Sequence, residues 1–415
     1  MSCSCQGFGK TLHYVSPAHG GWGVIRIAAL VPESYQLFIS PFACGRHGAL
    51  GGVVNGIKDR ISYLYIDESD IVSGNYEDLI PEAVEELFEN LDQRPKVLLL
   101  FVSCLDDLLG TDHVQLNKRL AQQYPDVEFR SCHMNPISLD TPFPPGITLQ
   151  NSIYSLLKKK TEREEGINLI GNNVPINKEC ELFSLMESVN YKVHHITDFD
   201  SFDEFQTMAM SRLNVVLSPV AEYASRTMVD TLEINRLLAY HTYDLKEICG
   251  FYEELAFMLE VPLDVSRFAQ EAKVAIEVAR EKIGNRSIAI DYQGVRKPFT
   301  LARALIEYGF SVKLVMTDDI KPFDKEAYEY LLKNHKEVEI LNALHHDMAK
   351  TEDRNSDFLC IGFNCAYATG AKNVVNIIED ESLFGFYGVK KLMEMLIEAN
   401  EVDLKEVIEG AGLVI

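Results

Sequence analysis

Nine cysteines are the most reactive side chains in this sequence, and two stand where an α/β sheet collects ligands. Cys44 lies in ISPFACGRHGALGG, just after a strand-like run and inside a glycine-rich stretch that reads as a turn. Cys104 lies in LLLFVSCLDDLLG, at the carboxyl end of the run Val97–Val102, which is apolar on both faces. In open α/β sheets ligands gather at that edge, and a thiolate there can hold a soft metal ion or an iron–sulfur cluster. The same two residues also read as small buried apolar side chains, since unpaired cysteine is among the most buried residue types. Cys3 and Cys5 form a C-x-C near the first residue, and Cys132 stands beside His133 in FRSCHMNP at the end of another strand. Cys180, Cys249, Cys360 and Cys365 fall in expected helix or strand interiors and read as core. Asp106 and Asp107 follow Cys104, where a helix N-terminus favours acids on its own account. Asp67, Glu68 and Asp70 read as a solvated loop.

Other chemistries lack their signatures. No C-x-x-C occurs, which removes zinc-ribbon and thioredoxin-type sites. There is no G-x-x-x-x-G-K-S/T loop to cradle ATP, no G-x-G-x-x-G after a strand and no G-x-S-x-G nucleophile elbow.

The elements that must position the cysteines follow one rhythm: a short apolar run, a turn, then an amphipathic helix. Val97–Val102 follows a helix with Pro81 in its first turn and Ala83, Val84, Leu87 and Leu91 at helical spacing. A second unit opens with INLIGNN at Ile167 and continues through ELFSLMESVNY, KVHHIT and NVVLS. A third opens with SIAIDYQG at Ser287, followed by the helix TLARALIEYG with Thr300 as N-cap and Gly309 as C-cap, then VKLVMT, DFLCIGF and NVVNII. Apolar strands alternating with helices predict parallel sheets covered on both faces. The expected domains are 1–165, 166–280 and 281–415, with the charged stretch KKKTEREEG as the first seam and helices between about Thr227 and Ile283 as the second.

The bulk composition narrows the class. The 415 residues carry 39 Lys+Arg against 62 Asp+Glu, a formal net charge of −23, which argues against a nucleic-acid or anionic-membrane partner. A hydrophobic fraction of 47% excludes an intrinsically disordered chain. No apolar run approaches the roughly 18 residues of a membrane span. MSCSCQGFGK has neither the apolar core nor the cleavage site of a signal peptide, so a cytoplasmic protein with reduced thiols is expected.

The segments ISPFACGRHGALGG, DESDIVSGNYEDLIPEAVEEL and LLLFVSCLDDLLGTDH, in that order and spacing, resemble the first domain of the nitrogenase component 1 superfamily. That superfamily includes molybdenum–iron protein subunits, cofactor-assembly scaffolds and dark-operative tetrapyrrole reductases. INLIGNN, SIAIDYQG, GFSVKLVMT and FGFYGVKKLMEML extend the resemblance over nearly the whole chain. It implies three Rossmann-like α/β domains with parallel sheets flanked by helices. It also implies an iron–sulfur cluster, 4Fe–4S or a larger P-cluster-like group, at an interface between paired subunits. Cys44 and Cys104 match two of the family's cluster cysteines. The place of a further one falls in SPAHGGWG, where His19 is the substitute and Cys3, Cys5 or a partner's side chain are the alternatives.

The resemblance further implies an electron-donating iron protein that carries the ATP chemistry, and a second component 1-like chain, identical or related. His241, Tyr243, Arg296 and Lys297 are the candidates for an inter-domain cofactor pocket, with Arg296 and Lys297 suited to an anionic ligand, although they also read as ordinary surface charges. His241 falls nearest the place of the family's cofactor cysteine, and Phe384 takes the place of its late histidine. A molybdenum-type cofactor held in the usual way, and dinitrogen reduction with it, are therefore not expected. Three functions remain open: a reductase subunit for a small molecule or tetrapyrrole, a non-catalytic scaffold for metallocluster assembly, and a cluster-free ligand-binding protein on the same fold.

Overall fold

The computed structural model describes residues 23–135, 143–350 and 357–411. Its strands are short and, in every pairing, parallel. They are β1 (Ser34–Ser40), β2 (Ile61–Tyr65), β3 (Val97–Val102), β4 (Glu128–His133), β5 (Gly166–Ile170), β6 (Lys192–His195), β7 (Leu213–Val216), β8 (Asn235–Leu238), β9 (Ser287–Asp291), β10 (Ser311–Thr317), β11 (Glu339–Asn342), β12 (Leu359–Ile361) and β13 (Asn373–Val375). Three sheets result, ordered β2-β1-β3-β4, β6-β5-β7-β8 and β11-β10-β9-β12-β13. Parallel neighbours need a crossover, and helices supply it on both faces. Among the described residues no helix is long and apolar enough to cross a membrane.

Two compact units divide the chain. The first, Gly21–Asn173 with Asn190–Tyr240, contains both four-stranded sheets. β3 shows how its sequence builds a covered sheet, because alternate residues point to opposite faces. Leu98, Leu100 and Val102 pack with Ile80, Val84, Leu116 and Leu120 on one side. Val97, Leu99 and Phe101 pack with Ile153, Tyr154, Phe205 and Met208 on the other. The seam KKKTEREEG is held by ion pairs, Lys158 with Glu128 at 2.6 Å and Lys192 with Glu164 at 2.8 Å.

The second unit, which includes Val174–Val189 and the chain from His241 onward, contains the five-stranded sheet. Gly294 and Gly362 bring two loops of this sheet together: a Cβ on Gly294 would stand 2.9 Å from the Gly362 Cα, and Gly362 itself has φ +99°. The long helix Gly385–Glu401 has no side-chain cap of its own. Buried Glu181 provides one from another segment, accepting the Phe386 N–H at 2.7 Å and the Tyr387 N–H at 2.9 Å while Tyr252 donates its hydroxyl at 2.8 Å. A carboxylate on the first-turn N–H groups satisfies orphan donors and complements the helix dipole.

Local details depart from expectation where packing or a distant cap decides. The glycine-rich stretch after β1 is a helix, Phe42–Val54, and not a turn. The helix containing Pro81 begins earlier, at Tyr76, so the proline lies inside it. Asp67 is not in a bare loop: it caps the short helix Glu68–Ser73, accepting the Ser69 N–H at 2.8 Å. The helix Pro298–Glu307 starts before Thr300, because Asp324 takes the Phe299 and Thr300 N–H groups, each at 2.8 Å. β8 went unread among the expected helices, since only one of its four residues is buried.

Candidate functional site

In the first sheet the strand order reverses between β1 and β3, and such a switch point opens a crevice beyond the carboxyl ends of the strands. The pairing Ile39↔Val102 brings those two ends level. Cys44 sits in the first turn of the helix after β1, and Cys104 is the first residue of the helix Cys104–Leu109 after β3. Each thiol thus stands just past one of the two strands that flank the switch point. Cys44 is exposed and Cys104 partly buried.

Glycine explains how the Cys44 helix reaches this edge. Gly45, Gly48 and Gly52 form one face of it, at spacings of three and four. Built Cβ atoms would lie 3.0 Å from Tyr65 Cε1, 3.3 Å from Tyr63 Cε1 and 2.9 Å from Ile61 Cδ1. The missing side chains let the helix lie close against β2, at a helix-propensity cost of about 0.5–1 kcal/mol per glycine. Apolar side chains on the helices after β1 and β3 face solvent, with Phe42 69%, Val54 83% and Leu108 81% exposed.

Polar side chains gather at the same carboxyl edge. Asp106, in the Cys104 helix, is buried; its Oδ1 accepts the Tyr76 hydroxyl at 2.5 Å and its Oδ2 pairs with His113 Nε2. Burial alone would raise the Asp106 pKa, but the hydrogen bonds from His113 and Tyr76 outweigh it and hold the carboxyl below its usual range. His133, the last residue of β4, is paired with Val102 in the neighbouring strand, and its Nδ1 meets Asp107 Oδ1 at 2.7 Å. The His113 and His133 rings are perpendicular with centroids 4.9 Å apart. Cys132 belongs to the core instead: burial pushes its thiol up to about 12, which leaves it protonated and a poor ligand.

The sequence had singled out Asp106, Asp107 and the Cys132–His133 pair, whereas Tyr76 and His113 escaped notice. His113 lies beyond the left-handed Gly110 that ends the Cys104 helix, and only that reversal returns it to Asp106. His19, Cys3 and Cys5 lie outside the described residues. Among the remaining cysteines, Cys180, Cys360 and Cys365 are buried and Cys249 is half-buried.

His241, Tyr243, Arg296 and Lys297 all belong to the other unit. His241 is buried, donates from Nδ1 to the Leu383 carbonyl at 2.6 Å and meets the edge of Phe384 at 5.5 Å between centroids. Burial, helped by the Arg296 charge, pushes its pKa down to about 3, so the imidazole is neutral at neutral pH. Burial raises the Tyr243 hydroxyl well above its ordinary value, and the nearby Asp380 charge raises it further. Arg296 pairs with Glu379 at 3.1 Å and with Glu381, and Lys297 pairs with Glu247 at 3.0 Å. Both cations are therefore already balanced by carboxylates.

Comparison with known proteins adds four findings. The family model described as nitrogenase component 1 type oxidoreductase matches residues 23–400. A solved structure described as nitrogenase Cp1 at pH 6.5 superimposes with a TM-score of 0.70 at 15% identity, covering 95% of each chain. A second, nitrogenase Cp1 at pH 5, does so with a TM-score of 0.63 at 15% identity, covering 95% of this chain and 92% of the other. No protein of curated function matches the sequence.

Proposed function

The chain belongs to the nitrogenase component 1 type oxidoreductases, and on that premise we propose that it is a cytoplasmic redox subunit whose Cys44 and Cys104 hold an iron–sulfur cluster at an interface with a second chain of the same type. Electrons would come from a separate iron protein that hydrolyses ATP, and the acceptor would be a small molecule or tetrapyrrole. The observation that carries this reading is the placement of the two thiols beyond β1 and β3, on either side of the switch point of the first sheet.

The donor chemistry fits the group. Thiolates are the usual ligands of iron–sulfur clusters, which supply one-electron transfer at a potential tuned by hydrogen bonds and solvent exposure. Cys44 and Cys104 would be this chain's described ligands. The others would come from the partner chain or from His19, Cys3 or Cys5. Exposed Phe42, Val54 and Leu108, on the same helices as the thiols, provide apolar surface for a partner that would cover the cluster and exclude water.

A second reading, a scaffold on which a metallocluster is assembled or carried, is favoured by the His241 surroundings. Phe384 would take the late histidine's place and His241, bonded to the Leu383 carbonyl, would stand nearest the cofactor cysteine's, so the family's usual cofactor ligands would be lacking. Turnover separates the two readings. Protein purified without oxygen is mixed with an iron protein, MgATP and dithionite, and its visible absorption is followed. The redox reading expects ATP-dependent bleaching that is lost in Cys104→Ala, followed by re-oxidation when the acceptor is added. Iron-loaded, folded protein that the iron protein never reduces would overturn it.

A further inference from the structure

We propose that Asp106, His113 and His133 bind a divalent first-row transition ion, zinc or ferrous iron, in a two-histidine, one-carboxylate site that needs neither Cys44 nor Cys104. One ligand atom from each of the three residues lies within 4.8 Å of the others. Ligands of a tetrahedral ion at about 2.0–2.1 Å stand roughly 3.4 Å apart, so side-chain rotations that part the Asp106–His113 hydrogen bond and bring the three atoms to that spacing complete the set. The fold supplies the three from separate places: Asp106 from the helix after β3, His113 from the next helix, His113–Gln123, and His133 from the end of β4.

Three further features suit an ion better than a plain polar contact. His113 Nδ1 is buried with no hydrogen-bond partner among the described residues, an unusual omission for a polar atom. Tyr76 donates to the Asp106 oxygen opposite the histidine pair, and Asp107 engages the Nδ1 of His133. Metal-binding histidines commonly give their second ring nitrogen to a carboxylate in this way, which fixes the ring and raises its basicity. Finally, the His133 side chain is 41% exposed while the Asp106 side chain is 1% exposed, so the site has a solvent side where water can fill the remaining position. Three protein ligands plus an open position is the arrangement of catalytic zinc and of two-histidine, one-carboxylate iron sites.

The test uses the full-length chain carrying Cys44→Ala and Cys104→Ala, so that failure of the cluster assignment leaves its result untouched. After chelation the protein is titrated with Co2+ and then Zn2+. The expected result is one Co2+ per chain, with d–d bands of nitrogen–oxygen coordination, no thiolate charge-transfer band, and displacement by Zn2+. His133→Ala, a change at a half-exposed ring, abolishes saturable uptake, as does His113→Ala. Asp107→Asn and Tyr76→Phe retain it with about 10–100-fold weaker affinity, the usual effect of losing a supporting partner. If the double cysteine variant does not fold, His133→Ala is compared with the chelated wild type instead. Folded protein that takes up no Co2+, uptake unaffected by His133→Ala and His113→Ala, or a thiolate charge-transfer band on the bound ion would each overturn the proposal.

Discussion

His241 offers a prediction with a worked magnitude. Its pKa is pushed down to about 3 by burial and the Arg296 charge, whereas an unfolded chain returns it to about 6.5. Between those values the unfolded state binds the extra proton. The stability that neutral His241 confers is therefore complete above pH 6.5 and declines as the pH falls toward 3. From pH 7.5 to 5.5 the decline is roughly 1.4 kcal/mol, set almost wholly by the unfolded chain's titration because pH 5.5 stays far above the folded value. His241→Gln keeps a donor for the Leu383 carbonyl but does not titrate. Wild type alone would mislead, since burial raises Asp291, Asp324 and Asp380 to about 6 and these stabilise the fold on acidification. The difference between wild type and His241→Gln removes them. Urea unfolding followed by circular dichroism at several pH values measures it. The variant gains about 1.4 kcal/mol relative to wild type over this interval; parallel curves would refute the buried neutral imidazole.

Further outcomes follow from the same packing. Glu181→Gln sets an amide against two backbone N–H groups of the helix Gly385–Glu401, and chemical denaturation should show a loss of roughly 1.5–3 kcal/mol, with Glu181→Asp no better because it is too short. Leu99→Ala opens a cavity in the middle of β3 and should cost about 2–5 kcal/mol in the same assay. In metal-free protein at mildly alkaline pH, mass-spectrometric alkylation should label exposed Cys44 well before buried Cys132, Cys180 and Cys365, whose thiols burial pushes up. Loading with iron and sulfide should protect Cys44 and Cys104 from that labelling.

Much of the architecture was legible because several of its strands are continuous apolar runs. Val97–Val102, Ser287–Asp291 and Ser311–Thr317 stand out from their helical surroundings by length and by apolarity on both faces. The helix Phe42–Val54 was hidden because its glycines look like a turn; only the closeness of Tyr63, Tyr65 and Ile61 shows that they make room for a sheet. The caps Glu181 and Asp324 serve helix starts far along the chain, so no local signature announces them. For the site, the two thiols could be placed at a sheet edge from sequence, but not at the switch point, which requires knowing that β1 lies between β2 and β3. His113 was invisible for a similar reason: it reaches Asp106 only around Gly110, and His133 arrives from a neighbouring strand through the pairing of β3 with β4.

Iron and acid-labile sulfide per chain, measured on protein purified without oxygen beside Cys44→Ala and Cys104→Ala, test the cluster assignment most directly. Stoichiometric iron and sulfide in the wild type, lost in both folded variants, are the expected result. Folded wild type that stays iron-free after reconstitution with its partner subunit, or variants that keep full iron and sulfide, would contradict it.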